Sequence, residues 1–415
     1  MVAQTVQIKH SWVWLVSLFI FFFNSFLLPD GLTYSLLLTP VWVYLLYKQK
    51  RLDTVLIMFL PFVLYAIIHL IIGVKLSNYA VSFIVLISVI TFLTAVYYFI
   101  SNPKVRLDPI FCDIAIMNFF FTLISLILFF VPGLKSIVWY NVPISPELTG
   151  LWRLKMFMPE PAHYSFLLAP VVIYFLGRML FFKSRNFLLT LVFITIPLVL
   201  SFSFGVISCL AISGIVILLL YFKRIFNSKK RRKVFWMMTI GLPILAVLIY
   251  FAFPQNPLYV RLDNILFKDD TSARGRTYEA FILAHNIISQ KSYWWGIGIG
   301  QLDVFARNFV VNFYDYKNLP NVVRIPNASA ETLLFFGYIG LILRFVIEWV
   351  LFFTSKVYRN PYRLWLFIFV FIYQFTGSYI TNFAEYLVWM LVFSPIFPEF
   401  EVGKEKIADP NEITL

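Results

Sequence analysis

Two polar stretches interrupt an otherwise apolar chain, and both carry residues able to do acid–base or anion chemistry. The first runs Trp152-Arg153-Leu154-Lys155 through Met158-Pro159-Glu160-Pro161-Ala162-His163-Tyr164-Ser165. Pro161 suits the first turn of a helix. That puts Glu160 at the favourable end of the helix dipole and His163 three residues on, facing roughly the same way. A carboxylate and an imidazole so placed can reach one substrate hydroxyl, and either is a candidate general base. The plainer alternative is a capped helix start with an interfacial histidine, and the residues alone leave both open.

The second stretch, Phe253 to Asn327, is the longest polar interval and carries Arg261, Arg274, Arg276, Arg307 and Arg324. In Thr271-Ser272-Ala273-Arg274-Gly275-Arg276-Thr277, two arginines flank a glycine just ahead of a helical pattern. Backbone N–H groups at a helix start, with guanidinium forks beside them, suit phosphate oxygens. Arg276, then Arg274, are therefore candidate diphosphate ligands, with Arg153 a further cation on the shorter loop. The stretch closes on Arg324-Ile325-Pro326-Asn327-Ala328-Ser329-Ala330-Glu331. Asn327 fits a helix N-cap, and Glu331 four residues on shares its face; capping alone explains the pair equally well.

Other features read more plainly. Asp269-Asp270 fits a solvated turn, and no His/Cys metal spacing, Walker loop or serine elbow appears, so no metal or cofactor is expected. Cys112 and Cys209 fall in apolar runs and support no disulfide framework. Gly296-Ile297-Gly298-Ile299-Gly300 looks like a nucleotide loop only superficially, since no strand precedes it; a flexible return to the membrane is expected. Arg344 and Glu348 are spaced for an intrahelical pair near the inner surface, structural or snorkelling. Glu385 is left without a reading.

The elements that must position these residues are apolar helices. Of 415 residues 61% are hydrophobic, well above a soluble domain's roughly 45–50%. The excess falls in runs at about 11–28, 32–47, 54–73, 77–100, 110–131, 162–182, 186–202, 205–222, 234–253, 328–354, 362–378 and 383–398. Runs near 20 residues cross a bilayer as helix, where backbone groups must be satisfied internally. The expected fold is thus an all-α polytopic membrane protein of about twelve transmembrane helices. Residues 1–253 would form the first nine, with an outer loop at 132–161. Residues 254–327 would form a large periplasmic loop, 328–398 the last three helices, and 399–415 a short cytoplasmic tail. No cleavage site follows the first run, so it reads as a retained helix.

Basic residues set the orientation. With both termini cytoplasmic, 21 lysines and arginines fall inside and 12 outside, nearly all of the latter in the two polar loops, with Arg344 inside a helix. The run Lys229–Lys233 is then a topology anchor, able to touch anionic lipid, and the net charge of +14 gives no reason to invoke nucleic acid. Within the long loop, Arg276–Gln290 reads as an amphipathic helix whose apolar stripe is Tyr278, Phe281, Ile282, His285 and Ile288. Trp294-Trp295 suits an interfacial aromatic belt.

Four segments, in order, resemble the O-antigen and capsular polysaccharide repeat-unit polymerases of the Wzy type, within the O-antigen polymerase/ligase superfamily. They are RLKMFMPEPAHYSF, LSFSFGVISCLAIS, SARGRTYEAFILAHNIISQKSYWWGIGIG and PNASAETLLFFGYIGLIL, spanning roughly residues 150–345. Ligases have a His before the Asn, where this chain has Pro326, and often an Arg after the Ser, where it has Phe204; both differences favour the polymerase. The resemblance implies a metal-independent glycosyltransferase of the bacterial inner membrane, with its site facing the periplasm. Its substrate would be an undecaprenyl-diphosphate-linked oligosaccharide. The growing glycan would pass, with inversion, to the non-reducing end of a fresh lipid-linked unit, alongside a flippase and a chain-length regulator. Glu160 or His163 would be the base, and Arg153, Arg274, Arg276, Arg324, Asn327 and Glu331 the diphosphate and substrate ligands. The alternatives are an O-antigen ligase or other bactoprenol-dependent transferase, then a polysaccharide transporter or flippase. A transporter usually needs charges at mid-membrane, and few are visible in the sequence.

Overall fold

The computed structural model describes residues 14–29, 32–102, 105–141, 151–182, 187–227, 232, 236, 251, 259–260, 263–264, 267, 271–314 and 323–401. Most of the run at 234–253, most of the Lys229–Lys233 cluster, Arg261, the Asp269-Asp270 pair and the tail past Glu401 lie outside the described residues.

Helices begin where the sequence carries local start signals. Asn327, Asn360 and Asn382 are N-caps, their side-chain oxygens accepting from Ala330 N at 2.8 Å, from Tyr362 N at 3.1 Å and from Ala384 N at 3.1 Å. Pro161 and Pro361 occupy first turns, where the missing N–H costs nothing. Five helices are long and apolar enough to cross a membrane: α4 (Leu52–Ile72), α5 (Leu76–Ile100), α6 (Leu107–Leu128), α8 (Pro161–Phe181) and α16 (Ala328–Thr354). Before and between them come α1 (Trp14–Phe23), α2 (Tyr34–Leu37), α3 (Thr39–Lys48) and α7 (Lys135–Val138). On α4, Leu56, Ile57, Leu60, Leu64 and Ile71 are exposed, as on a helix that meets lipid. Shorter apolar helices follow: α9 (Phe187–Leu200), α10 (Phe204–Leu220), α17 (Pro361–Tyr373) and α18 (Phe383–Phe393), with α11 (Phe222–Phe226) after α10. They fall where further spans are expected, but they stop short. The run at 362–378 ends its helix at Tyr373, because Gln374–Asn382 folds into a loop instead. The described residues are thus an all-helical chain compatible with a multi-pass membrane protein, and the count of twelve is not reached. Their only sheet is one antiparallel pair in the shorter loop, β1 (Trp139–Tyr140) and β2 (Arg153–Leu154), with Tyr140 opposite Arg153.

Two apolar cores hold the helices. The first joins α5, α6, α8, α10, α17 and α18. Lipid tails are as apolar as leucine, so close packing supplies the attraction there. Phe166 stacks on Tyr373 with centroids 4.5 Å apart. Trp365 lies against Gly214 and donates its indole N–H to Ser213 Oγ at 3.2 Å. The second core joins α4 and α5 to the long loop and the start of α16. Here the loop forms α12 (Thr271–Arg276), α13 (Tyr278–Ile288), α14 (Leu302–Phe305) and α15 (Arg307–Phe313). Helix α13 is where the amphipathic pattern predicts one, but the stripe differs. The buried face is Ala280, Leu283, Ala284, Ile287 and Ile288, whereas Tyr278 and Ile282 are exposed and Phe281 is half-buried. The alanines let α13 approach α16 closely, and the aromatic side is left outward.

Helix α16 is not one straight rod. Gly337 sits at φ 66°, ψ −168°, which breaks it. In a straight helix Arg344 would stand about 18 Å along the axis from Thr332. Instead its guanidinium donates to Thr332 Oγ1 at 3.0 Å and approaches Ala328 O at 3.5 Å. Such a break frees backbone groups, and in lipid they must find partners. The Gly-rich segment supplies them. Ile297 N and Gly298 N donate to Leu334 O at 2.9 Å and Phe335 O at 3.1 Å, while Tyr293 O and Trp294 O accept from Tyr338 N at 3.0 Å and Ile339 N at 3.3 Å. The expected flexible return is therefore a buried clasp, with Ile297 and Ile299 inside the core. Arg344 makes the intrahelical pair with Glu348 that its spacing predicts, and of the two readings the structural one holds. It does not snorkel: it bonds Glu348 Oε1 and Gln374 Oε1 at 3.0 and 2.8 Å and pairs with Glu385 in a buried network.

Candidate functional site

At the start of α8, Glu160 is the residue before Pro161, in extended backbone at φ −134°, ψ 151°. Its carboxylate makes no capping bond to the helix. His163, one turn in, lines a cavity together with Met158, Arg324, Tyr379, Thr381 and Asn382. The cavity wall also includes Ser25 and Leu32. The segments read from the sequence as lying on one side of the membrane thus meet at one end of the bundle.

Arg324 is held firmly. It forks onto Glu331, Nε to Oε1 at 3.1 Å and Nη2 to Oε1 and Oε2 at 2.9 and 3.1 Å. It also donates to Thr381 Oγ1 at 3.1 Å and lies 4.2 Å from the Tyr379 ring centroid. Glu331 is fully buried, and its Oε2 also accepts from Ile380 N at 2.6 Å. Leaving such a carboxylate unpaired costs about 3–5 kcal/mol, so Arg324 stays with Glu331. Asn327 is likewise engaged by protein. Besides capping α16, its amide donates to Arg276 O at 2.9 Å and Phe375 O at 2.7 Å. Asn327 and Glu331 do not line the cavity; they tie the end of the long loop to the Gln374–Asn382 loop. That loop is fixed further by Ala328 N to Gly377 O and Ser329 N to Gln374 O, both at 3.2 Å.

The Arg274-Gly275-Arg276 segment differs from its expected form. It is the last turn of α12, not the first turn of α13. Carbonyls rather than amides are presented there: Arg276 O accepts from Asn327, Gly275 O from Tyr314 Oη at 2.9 Å, and Arg274 O from Thr277 N at 3.0 Å. Any anion site at this point is therefore made of side chains. Arg274 is half-exposed and paired with Glu279, Nη2 to Oε1 at 2.6 Å. Arg153 sits on β2 with its guanidinium 5.2 Å from the Tyr140 ring, away from the cavity lining.

Arg276 is different. Among the described residues its half-buried guanidinium has no hydrogen bond or ion pair, and the same holds for the Glu160 carboxylate. Both act electrostatically on Tyr373 and on Tyr379. The charges of Glu160 and Arg276 are thus both felt at Tyr379, as are those of Arg324 and Glu331. Burial pushes the Tyr379 phenol up to about 12, with Glu160 adding to the rise and Arg324 and Arg276 opposing it. It is therefore a neutral donor at ordinary pH. Ser378, just before it, holds a left-handed φ of 69°, which turns the loop toward the site. Sequence reasoning missed Tyr373, Tyr379 and Thr381. The signal was the short polar Gly377-Ser378-Tyr379-Ile380-Thr381-Asn382 stretch between the last two apolar runs.

Fold and site together define an all-helical protein with helices able to cross a membrane, whose connecting loops gather charge at one end of the bundle. No protein-family model matches the chain, and no curated protein matches it either.

Proposed function

We propose that this chain is a repeat-unit polymerase of the Wzy type. It would be a glycosyltransferase of the bacterial inner membrane, with both termini cytoplasmic and its site on the periplasmic face. The observation that carries the reading is the pair of charged groups without a hydrogen bond or ion pair among the described residues, Arg276 and Glu160, whose charges both reach Tyr373 and Tyr379. An unpartnered guanidinium suits a diphosphate, and an unpartnered carboxylate suits an acceptor proton.

In the proposed reaction, an acceptor sugar hydroxyl attacks the anomeric carbon of a glycan held on undecaprenyl diphosphate. The new C–O bond forms on the face opposite the leaving group, so the configuration inverts. The bond to the diphosphate breaks, and its electron pair leaves on the diphosphate oxygens, where Arg276 stabilises the added charge. The acceptor proton passes to Glu160. Such electrostatic stabilisation is strongest in the transition state, and losing one donor typically costs about 10²–10³ in rate.

Purified protein incubated with lipid-linked repeats should give a ladder on a gel. Arg276→Gln should collapse the ladder to single repeats while the protein still inserts and melts normally. A normal ladder from this variant would refute the assignment. One observation favours the transporter as a second reading: Arg344, Glu348 and Glu385 form a buried charged network, and such groups in membrane helices often mark transport paths. Flux of lipid-linked glycan into liposomes without elongation would decide for it.

A further inference from the structure

The cavity lined by His163, Arg324 and Tyr379 holds a cation yet offers an anion little. Among the described residues, Arg324 is the one with a permanent charge in its lining. It is neutralised by the fully buried Glu331 through both carboxylate oxygens. A phosphate placed there would compete with Glu331 for the guanidinium and would lie close to a buried negative charge. An uncharged, hydroxyl-rich ligand meets neither obstacle. Thr381 accepts from Arg324 and keeps its own hydroxyl proton to donate. His163 adds an imidazole edge to the lining, and Leu167, Met158 and Phe383 give apolar walls for the carbon face of a ring. The cavity volume is about 80 Å³ and its mouth is open to solvent, below the rough range of 300–1,000 Å³ for drug-sized ligands, so it suits part of a single sugar ring rather than an oligosaccharide.

We infer that this cavity binds an uncharged sugar residue, separately from the anion-binding position at Arg276. Its role as the acceptor subsite rests on the glycosyl-transfer reading, in which Arg276 holds the donor diphosphate. The binding itself does not depend on that reading.

The test is saturation-transfer NMR on the full-length protein in lipid nanodiscs. The probes are free glucose, galactose, mannose, rhamnose, N-acetylglucosamine and N-acetylgalactosamine, with inorganic pyrophosphate as the charged competitor. At least one sugar should receive saturation. Thr381→Val should weaken it by about tenfold, the loss of roughly one hydrogen bond, and Thr381→Ser should restore it. Arg276→Gln should leave it unchanged, and pyrophosphate should not displace it. If Thr381→Val does not fold, Leu167→Trp, which fills the cavity from its apolar side, should abolish the same signal. The inference is overturned if no sugar of the panel binds the wild type, if the cavity variants bind as well as the wild type, or if pyrophosphate displaces the sugar in Arg276→Gln. Sugar binding without elongation of lipid-linked repeats would remove the polymerase reading and leave this site standing. Elongation with no sugar bound here would do the reverse.

Discussion

At the scale of single residues, the proposed transfer would divide between Glu160 and His163 the work that their spacing alone assigns to either. Glu160 precedes the helix in extended backbone and gives its carboxylate no capping role, so it is available to take a proton. His163 lines the cavity together with Arg324 and Tyr379, where in the proposed reaction it would meet the acceptor. Glu160→Gln keeps the shape and removes the base. Its kcat should fall by about 10²–10⁴ with little change in KM for lipid-linked repeats. His163→Gln should act mainly on KM. Steady-state rates on both variants check this, and the opposite split would make His163 the base.

At the scale of elements, the site depends on two junctions. The first is Asn327, which caps α16 and grips the carbonyls of Arg276 and Phe375. Asn327→Ala should cost about 0.5–2 kcal/mol for the cap and more for the two lost donors, seen as a lower melting temperature. Transfer should fall further than stability alone explains, because Arg276 loses its tether; a variant that melts lower but elongates at the wild-type rate would disprove the link. The second junction is the clasp between Gly296 and Gly337. A Cβ on Gly337 would stand 2.3 Å from Trp294 backbone, and one on Gly296 would stand 2.6 Å from Gly337 N. Both glycines have positive φ. Each Gly→Ala change should cost about 1–2 kcal/mol for left-handed backbone and about 1–3 kcal/mol for overpacking. Thermal melts in nanodiscs measure it, and wild-type melting would mean the clasp yields.

At the scale of the whole molecule, the end of the bundle reached by the foot of α8 carries its own charge cluster. Arg178 pairs with Glu399 at 3.5 Å, and Tyr174 Oη donates to Asp108 Oδ1 at 2.5 Å. Burial, then the nearby Asp108, push the Glu399 carboxyl up to about 7. Its folded value thus lies above its unfolded one near 4.5. Folding then takes up a proton between these values, so this contribution is complete below about 4.5 and is lost as pH rises through 7. Glu399→Gln should flatten the fall of the melting temperature between about pH 4.5 and 7, the window between the two values. An unchanged slope would show that another group sets it.

The residue types, the polar loops and the apolar runs were legible in the sequence, because periodicity and capping are local properties. Pro161, Asn327 and the helix at Tyr278–Ile288 lie where local chemistry puts them. Pairing is not local. Glu331 neutralises Arg324 and Glu279 takes Arg274, while Arg276 has no ion pair among the described residues, and no spacing distinguishes those three arginines. The clasp and the bend at Gly337 unite segments about forty residues apart, which turns a nucleotide-loop look-alike into a structural joint. Tyr379 gains its place only because the last polar loop packs onto the start of α16. The sequence by itself determined which segments are helix and which residues could do chemistry. The tertiary structure decided which charges cancel and which remain, because a buried charge is set by its neighbours in space rather than in the chain.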